Sequence, residues 1–576
     1  MSEVRALPIA AEHREFTVKV EGQAMPREHQ LLAVSISNTA NRIASARLVY
    51  LDGSAASSEF PLANTDLLKP GKKVEISARA GSTTDKLFVG IVVRIGTKVR
   101  DSSAPQLVVE CRHEVSKLTV ARRNKSWFDA SDSEIVEELL GGLAGDIDST
   151  SLKHKQQVQF HTSDWDFLLT RAQANGLLVW AKEDKIVVKK PAVRGSPVCT
   201  LQFGATLLEF DAEIDARQQF KSVKGISWDP AQQALVNVDA ADPGFAGPGN
   251  LSGDDLAAVA AADACELRHA AVVEAEAQAW ADGEWLRTRV NMVSGRGKCE
   301  GIGSVHTGDV VKLDGVGTRF NGNVLVTGVR HDYDLVQGWK THIQFGSVAA
   351  APVEDIAMPP AGGLLAQVSG LQIGVVTSNE DPDGEHRVRV RLPLVSMDDD
   401  GIWARVASLD AGDSRGFFFR PEISDEVVVG FLDADPRRGV ILGMLHSSAK
   451  AAPFQGSDDN HEKAYVSREK MRLYFNDEKK VLQIDTPAGN SITLSEDEKS
   501  IVIADQNSNT ITMNSDGIAI ESQKAITLKA GTELKLESGT GFSAKGGTEL
   551  KLEGSASAEI SSSATTTVKG SIVQIN

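Results

Sequence analysis

Apolar and polar residues alternate one for one through Phe16 to Val20, Val74 to Ala78, Phe88 to Ile95 and Leu107 to Cys111, the two-residue period of strands with one buried face. The period changes at Ser131. That residue and Glu134 form a capping-box pattern ahead of Ile135, Leu139 and Leu140, and Gly141-Gly142 stops the helical spacing. From Asp254 to Arg289 an alanine-rich stretch carrying Leu267, Val272, Trp280, Trp285 and Leu286 predicts one long or broken amphipathic helix. Alternation resumes at Val310 to Leu313 and Asn323 to Val329. The low-charge segment from Ala349 to Gly363, with Pro352, Pro359 and Pro360, then reads as a linker.

A second zone packs strand candidates closely: Gly374 to Thr377, Arg387 to Leu392, Trp403 to Ser408, Phe417 to Arg420, Glu426 to Leu432 and Gly439 to Leu445. So many short strands in one small zone predict a small barrel. Between the first two, Asp381-Pro382-Asp383-Gly384 supplies the chemistry of a tight turn. Its acids are too few for a calcium loop.

The last zone, from about Met471, is rich in Ser, Thr, Gly, Glu and Lys. Composition alone suggests disorder, but the periodicity contradicts it. Gly-Thr-Glu-Leu-Lys-Leu-Glu stands at Gly531 to Glu537 and again at Gly547 to Glu553. Ile526, Leu534, Phe542, Leu550 and Ala558 fall eight apart, as do Leu528, Leu536, Ala544, Leu552, Ile560 and Val568. An octad with apolar residues two apart and glycine or serine at the bend describes a short strand plus a turn, repeated. Those apolar positions are too few for one chain to wrap a core of its own, and an isolated ladder would expose its edges. Three interwound copies remove both problems.

Charge narrows the chemistry. With 61 basic and 78 acidic residues the formal charge is −17, which repels phosphate backbones and anionic lipid, so no nucleic-acid partner is expected. No apolar run is long enough to span a bilayer, and Ala6 to Ala11 is too short for a signal-peptide core, so synthesis in the cytoplasm is expected. Cys111, Cys199, Cys265 and Cys299 stand far apart and predict buried free thiols.

Catalytic signals are weak. Gly295-Arg296-Gly297 with Gly301 and Gly303 lacks the spacing of a dinucleotide loop. His306, His331 and His342 with Asp309, Asp332 and Asp334 could be assembled into an acid-base or metal cluster, although a structural role is the simpler reading for His331. Arg387, Arg389 and Arg391 lie on one strand face and, with Phe417, Phe418 and Phe419, suggest a single-strand platform; the neighbouring Asp398-Asp399-Asp400 and the acidic balance favour pairing with acids across a subunit interface. Catalytic, cofactor and metal sites are therefore expected to be absent.

Many words in fixed order carry a resemblance. Gly374-Val375-Val376, Asp381 to Gly384, Arg387 to Pro393, Trp403 to Ala407, Asp425 to Phe431 with Gly430, Asp435-Pro436 and Val440 to Gly443 closely resemble the OB-fold of VgrG spikes of type VI secretion systems, related contractile injection particles and phage baseplates. Asp164 to Leu168, Ala174 to Leu177, and Asn321 to His331 resemble the hub of that family. The resemblance implies a mainly β protein with an α+β hub: a late control D-like hub over 1–350, a linker over 351–370, an OB-fold over 371–447, a second linker over 448–466 and a triple-stranded β-helix needle over 467–576. It further implies a homotrimer without enzymatic activity, with inner-tube initiator and baseplate wedge proteins at the hub. A separate PAAR-like tip protein is implied at Val573, Ile575 and Asn576, because the tail lacks the histidines of a metal-bound tip. The particle would be released or delivered extracellularly and meet a target membrane only on firing. Phage, type VI and extracellular particles all remain open, as do a peptidoglycan-degrading β-helix spike and a trimeric receptor-binding adhesin.

Overall fold

The computed structural model describes residues 14–575 apart from 81, 230–231, 233, 261–263, 270–271 and 349–359. The alternating N-terminal segments are strands β1 (Arg14–Val20), β2 (Leu31–Thr39), β3 (Ser45–Leu51), β4 (Lys73–Ala80), β5 (Thr83–Arg100) and β6 (Ser103–Arg112). Their inward positions, Val34, Ile36, Leu48, Tyr50, Ile76 and Val109 among them, are almost wholly buried. Helix α1 (Asp132–Leu140) starts where the capping box places it. Ser131 Oγ accepts from the Glu134 amide, Glu134 accepts from the Ser131 amide, and Gly141 ends the helix in the left-handed region.

Strand β7 (Gln157–Ser163) leads into α2 (Asp164–Ala174), which Ser163 caps. Then follow β8 (Leu207–Ile214), β9 (Val223–Asp229), β10 (Ala234–Asp239), α3 (Gly253–Ala260), β11 (Cys265–Arg268), α4 (Glu274–Val290), β12 (Val293–Glu300), β13 (Gly322–Asp334) and β14 (Gly338–Phe345). The long helical stretch expected from Asp254 is thus broken by a strand. The Cys265–Arg268 segment pairs in parallel with Val223–Ile226 of β9, and that ladder outweighs the helical propensity of its surroundings. Ten strands run β8-β12-β14-β13-β2-β3-β6-β5-β4-β1 through one thirteen-stranded sheet, so both halves of the N-terminal zone share a continuous backbone ladder.

Strands β15 (Gln372–Ser378), β16 (Val388–Arg391), β17 (Ile402–Val406), β18 (Glu426–Phe431) and β19 (Gly439–Met444) close a barrel in the order β15-β16-β17-β19-β18. Phe417 to Arg420, expected as a strand, is instead an extended segment after a short hairpin, Ala411–Gly412 with Arg415–Gly416. Val158 of β7 is buried among the barrel's own Val376, Val388, Val390, Ile402, Val427 and Val429, with Phe160 packed beside it. The barrel core is therefore completed by the N-terminal zone. The connection between them is packed too: Ala361, Leu364, Leu365 and Val368 are buried, while 351–359 of the expected linker lie outside the described residues.

The chain divides into two compact units, Met1–His446 and Ser447–Asn576. In the second, β20 (Glu462–Val466), β21 (Arg472–Asn476), β22 (Val481–Asp485), β23 (Ser491–Ser495), β24 (Ser500–Ala504), β25 (Thr510–Asn514) and β26 (Gly517–Glu521) form an antiparallel meander. Beyond it the backbone bends at 523, 531, 539, 547, 555, 563 and 571, the eight-residue step of the sequence. No strand pairing is formed among described residues 522–575.

Candidate assembly surfaces

The register of the meander aligns seven large side chains across seven strands. Tyr465 faces Leu473, and the row continues through Ile484, Ile492, Ile503 and Ile511 to Ile520. A second row on the same face runs from Phe475 through Leu482, Leu494, Ile501 and Met513 to Ile518. In one chain these residues face solvent: Leu473, Ile484, Ile492, Ile503 and Ile511 are 36–50% exposed. Such a contiguous apolar face exceeds what a soluble monomer ordinarily leaves uncovered. The opposite face carries Arg472, Gln483, Asp485, Ser491, Thr493, Thr510 and Thr512, with Arg472 held by Asp485 at 2.9 Å. The signal was present in the sequence as alternation within each five-residue strand. Which strands pair, and hence that two unbroken rows form, depends on turn geometry.

The octad positions are open as well. Ile526, Leu528, Leu534, Leu536, Phe542, Leu550, Leu552, Ile560 and Val568 are 52–79% exposed. Among the described residues their segments have neither side-chain cover nor a strand partner, although extended backbone of this kind needs both. Val573 and Ile575 are exposed at the end of the same run; Asn576 lies outside the described residues.

On the barrel, the arginine stripe is already engaged. Arg387 grips Asp381 at 2.9 and 2.8 Å and Asp383 at 2.7 Å, Arg389 meets Asp400 at 3.0 Å, and Arg391 donates to the Asp399 carbonyl at 2.7 Å. The acids expected from a second subunit thus come from the same chain, because the two turns flanking β16 fold back over it. Both Arg387 and Arg389 stand 5.7 Å from the Trp403 ring centre. The Arg387 hydrogen bonds hold the Asp381 carboxyl well below the usual carboxylate range. Gly384 at φ 70° completes this turn. Gly430 lies in β18, and Asp435 and Pro436 are buried just beyond it. Phe417, Phe418 and Phe419 are exposed, with the first and third stacked 6.0 Å apart and Arg420 over the second.

The histidines do not converge. His331 pairs across the ladder with Thr341, and Arg330 with His342, so His331 and His342 point to opposite faces of the sheet. His342 meets Asp332 at 3.4 Å, and His306 meets Asp309 at 3.6 Å. Among the described residues no group of three or more His, Cys, Asp or Glu is placed to hold a metal ion. Gly295 and Gly297 sit in β12, where a Cβ on Gly295 would stand 2.4 Å from the Asp211 carbonyl oxygen; close strand packing explains the glycine. All four cysteines are free, three of them buried and Cys265 half-buried.

His331 is buried against Trp339, with Nδ1 3.1 Å from Thr341 Oγ1. Burial first, and then the nearby His306 and His342, push its pKa down to about 3. The folded value lies below the unfolded one, so its contribution is complete above about pH 6.5 and declines as pH falls toward 3, by about 1.4 kcal/mol per pH unit. Unfolding free energies from urea denaturation at pH 7 and pH 5 should therefore differ by roughly 2 kcal/mol more in the parent chain than in His331→Gln. An unchanged pH slope in the variant would assign that loss to other groups.

Residues 372–446 match the type VI secretion system/phage-baseplate injector OB domain, and residues 10–334 match the Alg8 N-terminal domain. The chain is 30% identical over 191 residues to the type VI secretion system spike protein VgrG1b of Pseudomonas aeruginosa, covering 30% of this chain and 25% of that protein. Against VgrG5 of the same bacterium it is 32% identical over 133 residues, covering 21% and 16%. The matched part is thus a quarter or less of these curated relatives. A solved structure of the lidded Francisella PdpA–VgrG complex superposes with a TM-score of 0.54 at 8% identity, covering 89% of this chain and 80% of that one, a likeness of fold. No helix among the described residues is long and apolar enough to cross a membrane.

Proposed function

Since this chain belongs to the Alg8 N-terminal domain family and is a VgrG-like spike protein, we propose that three copies form the non-enzymatic central hub and spike of a contractile injection apparatus. The observation that carries this reading is the pair of unbroken apolar rows on the meander, followed by octads with neither cover nor strand partner among the described residues. Three sheets turned face to face would bury the rows, and three interwound octad runs would supply each other's missing ladder bonds. Stiffness follows from a shaft without free edges.

In this reading residues 1–350 serve as the hub for inner-tube and baseplate proteins, 371–447 as the OB collar and 467–576 as the needle. The tip presents Val573 and Ile575 to a PAAR-like cap. The chain would be made in the cytoplasm and leave with the particle. His342 meets Asp332 and His306 meets Asp309 within the chain, and His331 is buried against Trp339; these structural uses support a mechanical role.

The test is the mass of the purified chain in solution by native mass spectrometry. A species near three times 61.6 kDa is expected. A stable single chain with a protected, folded C-terminal unit would overturn the proposal and reopen a single-chain β-helix.

A further inference from the structure

Where the hub meets the barrel, seven ionisable side chains stand in one buried row: His154, Asp132, Arg171, Glu276, Arg437, Asp435 and His269. None of these side chains is more than 6% exposed. They alternate as histidine, acid, base, acid, base, acid, histidine. His154 Nε2 lies 3.0 Å from Asp132 Oδ2, and Arg171 grips both Asp132 oxygens at 2.7 and 3.0 Å. Glu276 is the centre: it accepts from Arg171 at 3.3 Å and from Arg437 Nη1 at 2.8 and 2.9 Å. Arg437 holds Asp435 at 3.1 and 2.9 Å, and His269 Nε2 closes the row 3.2 Å from Asp435.

The row binds two bodies together. Asp132, His154, Arg171, Glu276 and His269 belong to the hub, whereas Asp435 and Arg437 belong to the turn between β18 and β19. Arg171 also donates to the Leu364 carbonyl at 2.9 Å, pinning the connecting segment. Burial alone would raise the carboxyls of Asp132 and Asp435; the guanidiniums overcome it and hold both well below the usual range. Beside the row, Asp433 and Ala434 are consecutive non-glycine residues in the left-handed region, at φ 54° and 56°. Such a turn persists only where its surroundings over-determine it. Here the Val368 amide, donating to the Ala434 carbonyl, and the anchored Asp435 do so.

We propose that this row is a latch that fixes the OB barrel in one orientation on the hub by holding the left-handed turn at Asp433 and Ala434. A buried ionic row is a poor source of net stability compared with apolar packing, but its paired geometry admits one arrangement. In a spike driven along its axis such a joint would resist slippage. That use rests on the proposed function; the test does not, since it is read on the chain whatever its oligomeric state.

Arg437→Lys keeps the charge but loses the planar fork that grips Asp435 and Glu276 at once. Hydrogen exchange in the full chain should rise at least tenfold over residues 432–438 and 361–368 while β3 and β6 stay as protected as before. Unchanged exchange in those segments, or an equal rise throughout the chain, would overturn the latch. The triple variant Glu276→Leu, Arg437→Met and Asp435→Asn separates orientation from stability, because it leaves no buried carboxylate without its guanidinium. It should return the urea midpoint toward the parent value, with exchange at 432–438 still raised. If the triple variant restores protection there as well, the row is core filling and the proposal fails.

Discussion

Aspartate in place of Ile503 should convert the assembled protein into single chains at concentrations where the parent is fully associated. Ile503 sits mid-row, opposite Ile492 on one side and Ile511 on the other, and is 39% exposed in the lone chain. In the proposed trimer three copies of it meet. Burying the part of one such side chain that the lone chain exposes is worth about 1 kcal/mol, so three copies lose roughly 3 kcal/mol before the penalty of three buried carboxylates is added. The lone chain loses little, because its side chain there is half in water and the backbone ladder of β23, β24 and β25 is unchanged. Native mass spectrometry should therefore show a monomer whose sheet signal in circular dichroism survives. Leu536→Asp should differ. Its segment has no ladder among the described residues, so the octads should lose ordered structure while the meander still associates. Trimers of unaltered stability in both variants would mean that these faces lie outside the interface.

The contrast between the meander and the octad run also marks what a single sequence could reveal. The octads are legible because bend and side-chain period coincide at eight residues, and the bends recur at that step. The meander is less so. Its strand pairs begin at Glu462, Val481 and Ser500, a longer repeat interrupted by turns of unequal length, which hides the alignment of Leu473 with Ile484 and Ile492. Capping of α1 was readable because Ser131 and Glu134 are three residues apart. The break between α3 and α4 was not, since Cys265 to Arg268 becomes a strand only through pairing with β9, about forty positions earlier. The latch is least legible of all. Asp132, Glu276 and Arg437 come from three remote stretches, and each looks like an ordinary surface charge until the fold removes its water. The arginine stripe is legible in the sequence, but alternation alone points its charges at acids of a second subunit; only the turns flanking β16 reveal that the acids are local.

Gly401→Ala is expected to be among the most damaging single-methyl changes in the barrel. Gly401 has φ 89°, where an L side chain is strained. A Cβ there would also stand 2.0 Å from the Val390 carbonyl oxygen and 2.4 Å from the Arg391 nitrogen. Both are backbone atoms of the neighbouring strand β16, so no rotamer change relieves the clash; β16 and β17 must separate. Val390 and its partner Ile402 are core residues at 0% and 2% exposure, and separation would loosen the barrel at its centre. The combined cost should be about 3 kcal/mol or more. Gly384→Ala isolates the backbone part: φ is 70° but nothing lies within 4 Å of the added carbon, so about 1 kcal/mol is expected. Urea denaturation of both variants should give a several-fold larger loss for Gly401→Ala. Equal losses would show that the strand pair yields easily, and the barrel would then be a softer body than its closed ladder implies.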